Sequence, residues 1–298
     1  MNRAAAGENG NRSTTGDMYR PVTPGMRTIL WVGVVLVFVA GTSLYVLTDH
    51  TERYFAWTIK VPLSAAFLGA FYYTACVIAA LSVRRREWAR ARVGVPGVTA
   101  FLWLTMLATL LHLGLFHLSS GVGTARVAAW LWLFIYVVDP IALTIILFLQ
   151  LREPGDDPPR ATPLPGWYRG VAVIEGILLV AVGIALFAAP STGTHLWPWP
   201  LTPLTARMTA AWLVGLGITL VCASVENDWD RIRPAFAGLV ALVLLQTIAL
   251  ARYAGDVAWA TPRAQGYLAL LGLNLVLGVV GLVASARTRA TSARTALA

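Results

Sequence analysis

Eight stretches of this sequence stay apolar for about twenty residues, and that feature constrains the fold more than any motif does. They lie near 28–48, 62–83, 97–117, 126–151, 168–189, 203–224, 235–253 and 264–286. A helix rises about 1.5 Å per residue, so roughly twenty residues cross the ~30 Å of hydrocarbon in a bilayer. Inside that layer a backbone finds no water to bond, which leaves helices and closed barrels as the spanning structures, and unbroken apolar runs select helices. The chain is 57% hydrophobic with 12% charged residues, well past the composition of a soluble domain. The expected fold is therefore an all-α integral membrane protein with eight transmembrane helices. The first run is too long for the apolar region of a secretory signal, so it is expected to stay as a helix. Cys76 and Cys222 fall inside predicted spans and read as small packing residues rather than as a disulfide or a redox pair.

Arginine sets the expected orientation, because Lys and Arg near helix ends are retained on the cytoplasmic side. The tail at the N-terminus, the loops at 84–92, 152–169 and 225–233 and the C-terminal tail together hold 17 of the 23 basic residues. The other side holds six: Arg53, Lys60, Arg126, Arg207, Arg252 and Arg263. Both termini are thus expected in the cytoplasm of a plasma-membrane protein. The net charge of +9 follows from this asymmetry and calls for no nucleic acid. A ratio of 22 Arg to one Lys suggests a GC-rich, bacterial source.

The chain also resembles itself at a shift of 141 positions. Pro24-Gly25 falls on Pro165-Gly166, Pro62 on Pro203, and Gly97 on Gly238. The loop REWARAR (86–92) falls on NDWDRIR (227–233), matching Trp88 with Trp229 and Arg92 with Arg233. After a slip of four residues, Thr124 and Arg126 meet Thr261 and Arg263. The expected organisation is a disordered cytoplasmic tail (1–23), a first four-helix repeat (24–151), a cytoplasmic linker (152–164), a second repeat (165–286) and a short tail (287–298). An even number of spans per copy gives the two tandem repeats parallel orientation, related by an axis along the membrane normal.

The stretch HLWPWPLTPLTARM (195–208) falls at the extracytoplasmic side. Trp197 and Trp199 suit the headgroup level as anchors, Pro198 and Pro200 hold the chain extended, and Thr202-Pro203 reads as a cap and first turn. YFAWTIKVPLSAAF (54–67) repeats the plan with Phe55 and Trp57. Four helices descending from this side begin with a cation: Lys60, Arg126, Arg207 and Arg263. Thr124, Thr202 and Thr261 are candidate caps. A cation at the positive end of a helix calls for an anion nearby. Lipid phosphate or the acids Asp49, Glu52 and Asp256 answer that need most simply, while a ring of Arg126, Arg207 and Arg263 capturing an anionic headgroup or small anion is the sharper reading.

Two acids lie inside spans, Asp139 in IYVVDPIAL and Glu175 in VAVIEGILL. A charge at that depth costs at least about 2.5 kcal/mol, so such residues face the protein interior and often carry function. Pro140 kinks the helix beside Asp139. The two acids sharing a proton and each acid hydrogen-bonded alone to a neighbouring helix are both open. Neither has an acidic counterpart in the other repeat: Asp139 aligns with Val276 and Glu175 with Val34. His50, His112, His117 and His195 fall toward the outer side, and His112 and His117 do not share a helix face. No dinucleotide, phosphate-loop, zinc-protease or serine-hydrolase motif appears, so no cofactor or metal is expected. The expected function is binding or moving a small lipophilic or anionic ligand at the seam between repeats, with Asp139 and Glu175 handling protons and Arg126, Arg207 and Arg263 touching an anion. A structural subunit or assembly factor that recruits another membrane protein stands beside it, and an enzyme using the outer histidines and arginines comes third. Expected partners are the lipid bilayer, an anionic lipid or small ligand, and a membrane protein.

Overall fold

A computed structural model describes residues 19–193 and 197–295. Among them the chain is helical, without strands, and eight helices are long and apolar enough to cross a membrane. They are α1 (Pro24–Tyr45), α2 (Pro62–Ser82), α3 (Val95–Leu111), α4 (Gly123–Arg152), α5 (Gly166–Ala188), α6 (Pro203–Glu226), α7 (Arg233–Arg252) and α8 (Pro262–Thr295). Each expected span has its helix. Proline stands in the first turn of α1, α2, α3, α6 and α7, where its missing N–H costs no helical bond. Thr23 and Thr202 cap α1 and α6 by accepting from Met26 N and Thr205 N, each at 3.3 Å. Thr261 accepts from Ala264 N in the same way. Thr124 does not cap: it lies inside α4, and its hydroxyl donates to the Arg53 carbonyl at 2.6 Å, tying α4 to the loop after α1.

The packing forms a closed ring. In order round it, α1 packs on α2, α2 on α7, α7 on α8, α5 on α6, α6 on α3, α3 on α4 and α4 on α1. Side chains join the remaining pair, since Tyr168 of α5 donates to the Leu277 carbonyl of α8 at 2.8 Å. Helices α2, α3, α6 and α7 are the most buried, and α1, α4, α5 and α8 show more surface to lipid. The inner pairs approach closely through glycine, the usual device where hydrocarbon gives helices no hydrophobic drive to associate. A Cβ on Gly215 of α6 would meet the Gly97 carbonyl of α3 at 3.0 Å, and one on Gly238 of α7 would meet Ile78 of α2 at 2.5 Å.

The ends of the bundle differ. At the arginine-rich end α6 stops where Asn227 turns into the left-handed region at φ 48°. Asn227 Oδ1 then accepts from Leu164 N at 3.0 Å, and Asp228 Oδ2 accepts from Ala161 N and Thr162 N, so the linker is stitched to the α6–α7 turn. Residues 19–23, placed by the sequence in the tail, lie against the same structure: Arg20 N donates to the Asp156 carbonyl at 2.9 Å and Val22 N to the Arg86 carbonyl at 2.8 Å. Gly155, at φ +117°, permits this close pass, because a Cβ there would meet Arg20 N at 2.7 Å. The C-terminal segment stays helical through Thr295, beyond the expected end at 286; its Ala and Arg residues favour helix.

At the opposite end the tryptophans are not interfacial anchors. Trp197 is 7% exposed and Trp199 2% exposed, with the indole of Trp199 donating to Ser64 Oγ at 3.0 Å. Their rings pack on Phe67 and Tyr267. Trp57 is equally buried, set among Phe55, Phe116 and Trp132. In both places burial of a large ring inside the bundle outweighs its preference for the headgroup layer.

Candidate ligand-binding cavity

A group of charged side chains at the arginine-rich end satisfies itself. Arg92 forks onto Asp157 at 3.0 and 2.6 Å and onto Glu226 at 2.5 and 3.1 Å, and Glu226 also accepts from Arg231 at 3.1 Å. Arg231 completes its set on the Pro158 carbonyl. Burial pushes the Asp157 carboxyl up, but the bonds and charge of Arg92 and the charge of Arg231 outweigh it and hold the group below its ordinary value. This network is a clamp between α3, α6, α7 and the linker.

The opposite end has two arginines on helix termini. Arg207 of α6 donates from Nε to the Phe187 carbonyl at 3.1 Å and from Nη1 to His112 Nε2 at 2.5 Å. Arg252 of α7 donates to the Tyr45 carbonyl at 2.7 Å. Each guanidinium thus satisfies a carbonyl at the end of α5 or α1, where a cation is favoured. His112 must present an unprotonated Nε2 to accept from Arg207, and burial together with that guanidinium lowers its pKa below the ordinary 6.5. A histidine lowered in the folded state binds fewer protons there than when unfolded, so its stabilising contribution is complete above about pH 6.5 and is lost as the pH falls below that value. The expected result is a melting temperature in detergent that drops between pH 7.5 and 5, with the drop reduced in His112→Gln.

The anion ring does not assemble around Arg207, which is committed to protein partners. Arg126 and Arg263 are exposed in the first turns of α4 and α8, on helices that pack against different neighbours. Lys60 is exposed before α2. His50 approaches Glu52, and His117 bonds the Phe55 carbonyl and Thr58, so the described histidines serve separate local contacts. His195 lies outside the described residues. Among the described residues no group of three or more His, Cys, Asp or Glu side chains converges.

Within the membrane layer the two acids part company. Glu175 is 3% exposed and accepts from Asn274 Nδ2 of α8 at 2.5 Å, an interhelical bond inside the second half of the chain. Asp139 of α4 instead lines a cavity of about 190 Å³ enclosed by α1, α2, α3 and α4 and walled on its inner side by α6. The cavity lies mainly within the first half rather than along the seam. Its walls are aromatic: Trp212 stacks on Phe101 at 3.8 Å and on Phe71 at 5.4 Å, and meets Tyr72 edge-on at 4.9 Å. Trp132 lies 4.2 Å from Tyr136, whose hydroxyl shares a 2.5 Å hydrogen bond with that of Tyr72. On the lipid side α1 and α4 meet near the arginine-rich end, where Gly25 faces Ile146 and Thr23 bonds Gln150. Farther along, a Cβ on Gly33 would touch nothing within 4 Å.

Local structure explains the placement. Trp132, Tyr136, Asp139 and Leu143 follow one face of α4 at helical spacing, and all line the cavity. Pro140 has no N–H, so the Tyr136 carbonyl beside the cavity lacks its helical donor. The hydroxyls of Thr74 and Thr219 bond back to the Ala70 and Gly215 carbonyls of their own helices. No hydrogen bond or ion pair joins Asp139 to a described residue. The aromatic walls and the tyrosine pair were missed in the sequence, although the spacing 132, 136, 139 carried the signal for α4. At the shifted positions the second half has Leu213, Leu242, Ala269 and Leu273 in place of Tyr72, Phe101, Trp132 and Tyr136. The chain matches no family model and has no significant match among curated proteins or solved structures.

Proposed function

We propose that this multi-pass membrane protein binds a small lipophilic ligand in the cavity beside Asp139, as two tandem four-helix units of parallel orientation with both termini in the cytoplasm of a bacterial plasma membrane. The observation that carries the reading is a carboxyl group with no partner among the described residues, on the wall of an aromatic cavity at membrane depth. A carboxyl so placed is costly unless a ligand, a proton or water answers it, and residues of this kind mark pathways and binding places. The ring order supports the tandem reading, because adding or subtracting 141 exchanges the α2–α7 pair with the α6–α3 pair. The lipophilic version is favoured over the anionic one, since an acid lines the cavity and Arg207 is occupied. Asp139 is the proton- or ligand-binding group, and Glu175 holds α5 to α8.

A scaffolding or assembly role is the second reading, favoured by the close glycine packing of the seam. Native mass spectrometry of gently extracted protein separates the two. Ligand binding predicts a retained small lipophilic adduct that disappears in Gly33→Trp, a change that fills open space at the cavity wall. The same lipids on both proteins, together with a co-purified membrane protein, would favour the scaffold.

A further inference from the structure

Which ligand chemistry fits depends on what the cavity wall leaves unmatched. Tyr72 and Tyr136 bond each other, while Thr74 and Thr219 bond their own backbones. The tyrosine pair shares one bond, which leaves one of its two hydroxyl protons as a neutral donor, and the Ser82 hydroxyl also lines the wall. Asp139 is the one residue of the lining with a charge to offer. The same wall carries the rings of Trp132, Tyr136, Phe101 and Trp212, and aromatic rings attract positive charge through their quadrupoles. A carboxylate and an aromatic wall both complement a cation. The apolar remainder of the wall complements a hydrocarbon or aromatic body.

We infer that the cavity selects a lipophilic cation, an amine or quaternary ammonium carried on an apolar body, with Asp139 as its counter-ion. The inference rests on the proposed ligand-binding role of the same cavity and adds the charge of the occupant. In the low dielectric of the membrane layer an ion pair of this kind is stronger than in water, whereas an anion would meet repulsion from the same group. A neutral lipophile gains the apolar contacts alone.

Two probes of nearly identical shape isolate the charge: benzyltrimethylammonium, and neopentylbenzene, in which carbon replaces the charged nitrogen. Each is titrated calorimetrically into the whole protein in detergent micelles, with empty micelles as the blank. The expected result is at least tenfold tighter binding of the cation. Asp139→Asn should bring the cation down to the level of the hydrocarbon and leave the hydrocarbon unchanged, which also shows that the variant is folded. Asp139→Glu should retain the preference for the cation, so a misfolded Asn variant leaves the idea testable. Equal affinity for both probes in the parent protein, unaffected by Asp139→Asn, would overturn the cation inference and leave a lipophile site standing. Binding of neither probe would overturn the inference and the ligand-binding role together.

Discussion

Glu226→Ala is expected to destabilise the protein by about 3–5 kcal/mol, the loss typical when one partner of a buried ion pair is removed. The Glu226 and Arg231 side chains are 9% and 4% exposed, and Glu226 accepts from both Arg231 and Arg92. Without it Arg231 keeps the Pro158 carbonyl and an Asp157 oxygen at 3.8 Å, a poor substitute for a close carboxylate. The consequence is structural because four segments meet there. Arg92 leads into α3, Glu226 ends α6, Arg231 leads into α7, and Asp157 belongs to the linker. Denaturation in mild detergent checks the prediction, with Glu52→Ala as the control, since Glu52 pairs only with exposed groups at the other end. A loss from Glu226→Ala as small as the control's would show that the network does not hold the bundle.

Gly97→Leu is expected to be damaging as well, by about 3 kcal/mol, the upper end of the usual cost of overpacking, because overpacking against backbone cannot be relieved by a rotamer change. A Cβ at Gly97 would overlap both Thr219 Oγ1 and the Gly215 carbonyl oxygen of α6. Helices α3 and α6 would have to separate, and α6 also forms the inner wall of the cavity. Gly272→Leu is the control: Gly272 is exposed on α8, and a Cβ there meets nothing within 4 Å. Thermal unfolding with monodispersity on gel filtration should show a large loss for the first and little for the second. Equal behaviour would mean that the close crossing of α3 and α6 is not a determinant of the fold.

The spans were legible because hydrocarbon thickness and backbone satisfaction act on each run separately, so no tertiary knowledge is needed to find α1 to α8. Helix starts at Pro62 and Pro203 were legible for the same local reason. What failed was anything decided between helices. Trp197 and Trp199 have the composition of interfacial anchors, and only the positions of Phe67, Ser64 and Tyr267 reveal that the bundle can bury them. Arg207 reads as a free cation at a helix start until the carbonyl of Phe187 and the ring of His112 arrive beside it. Asp139 and Glu175 look alike in sequence; Asn274 separates them by bonding one and not the other. The cavity combines residues from five helices, and periodicity within α4 alone could reveal just its own part.

Ligand binding in the cavity requires Asp139 to lie open to a lipophilic visitor, whereas Glu175 is closed off by Asn274. Dicyclohexylcarbodiimide, an apolar reagent that modifies carboxyl groups in apolar surroundings, tests this directly on protein in lipid nanodiscs, with the modified residue located by peptide mass mapping. The predicted result is labelling at Asp139, slowed by prior addition of benzyltrimethylammonium, with Glu175 spared behind Asn274. Labelling of Glu175 with Asp139 untouched would contradict the account.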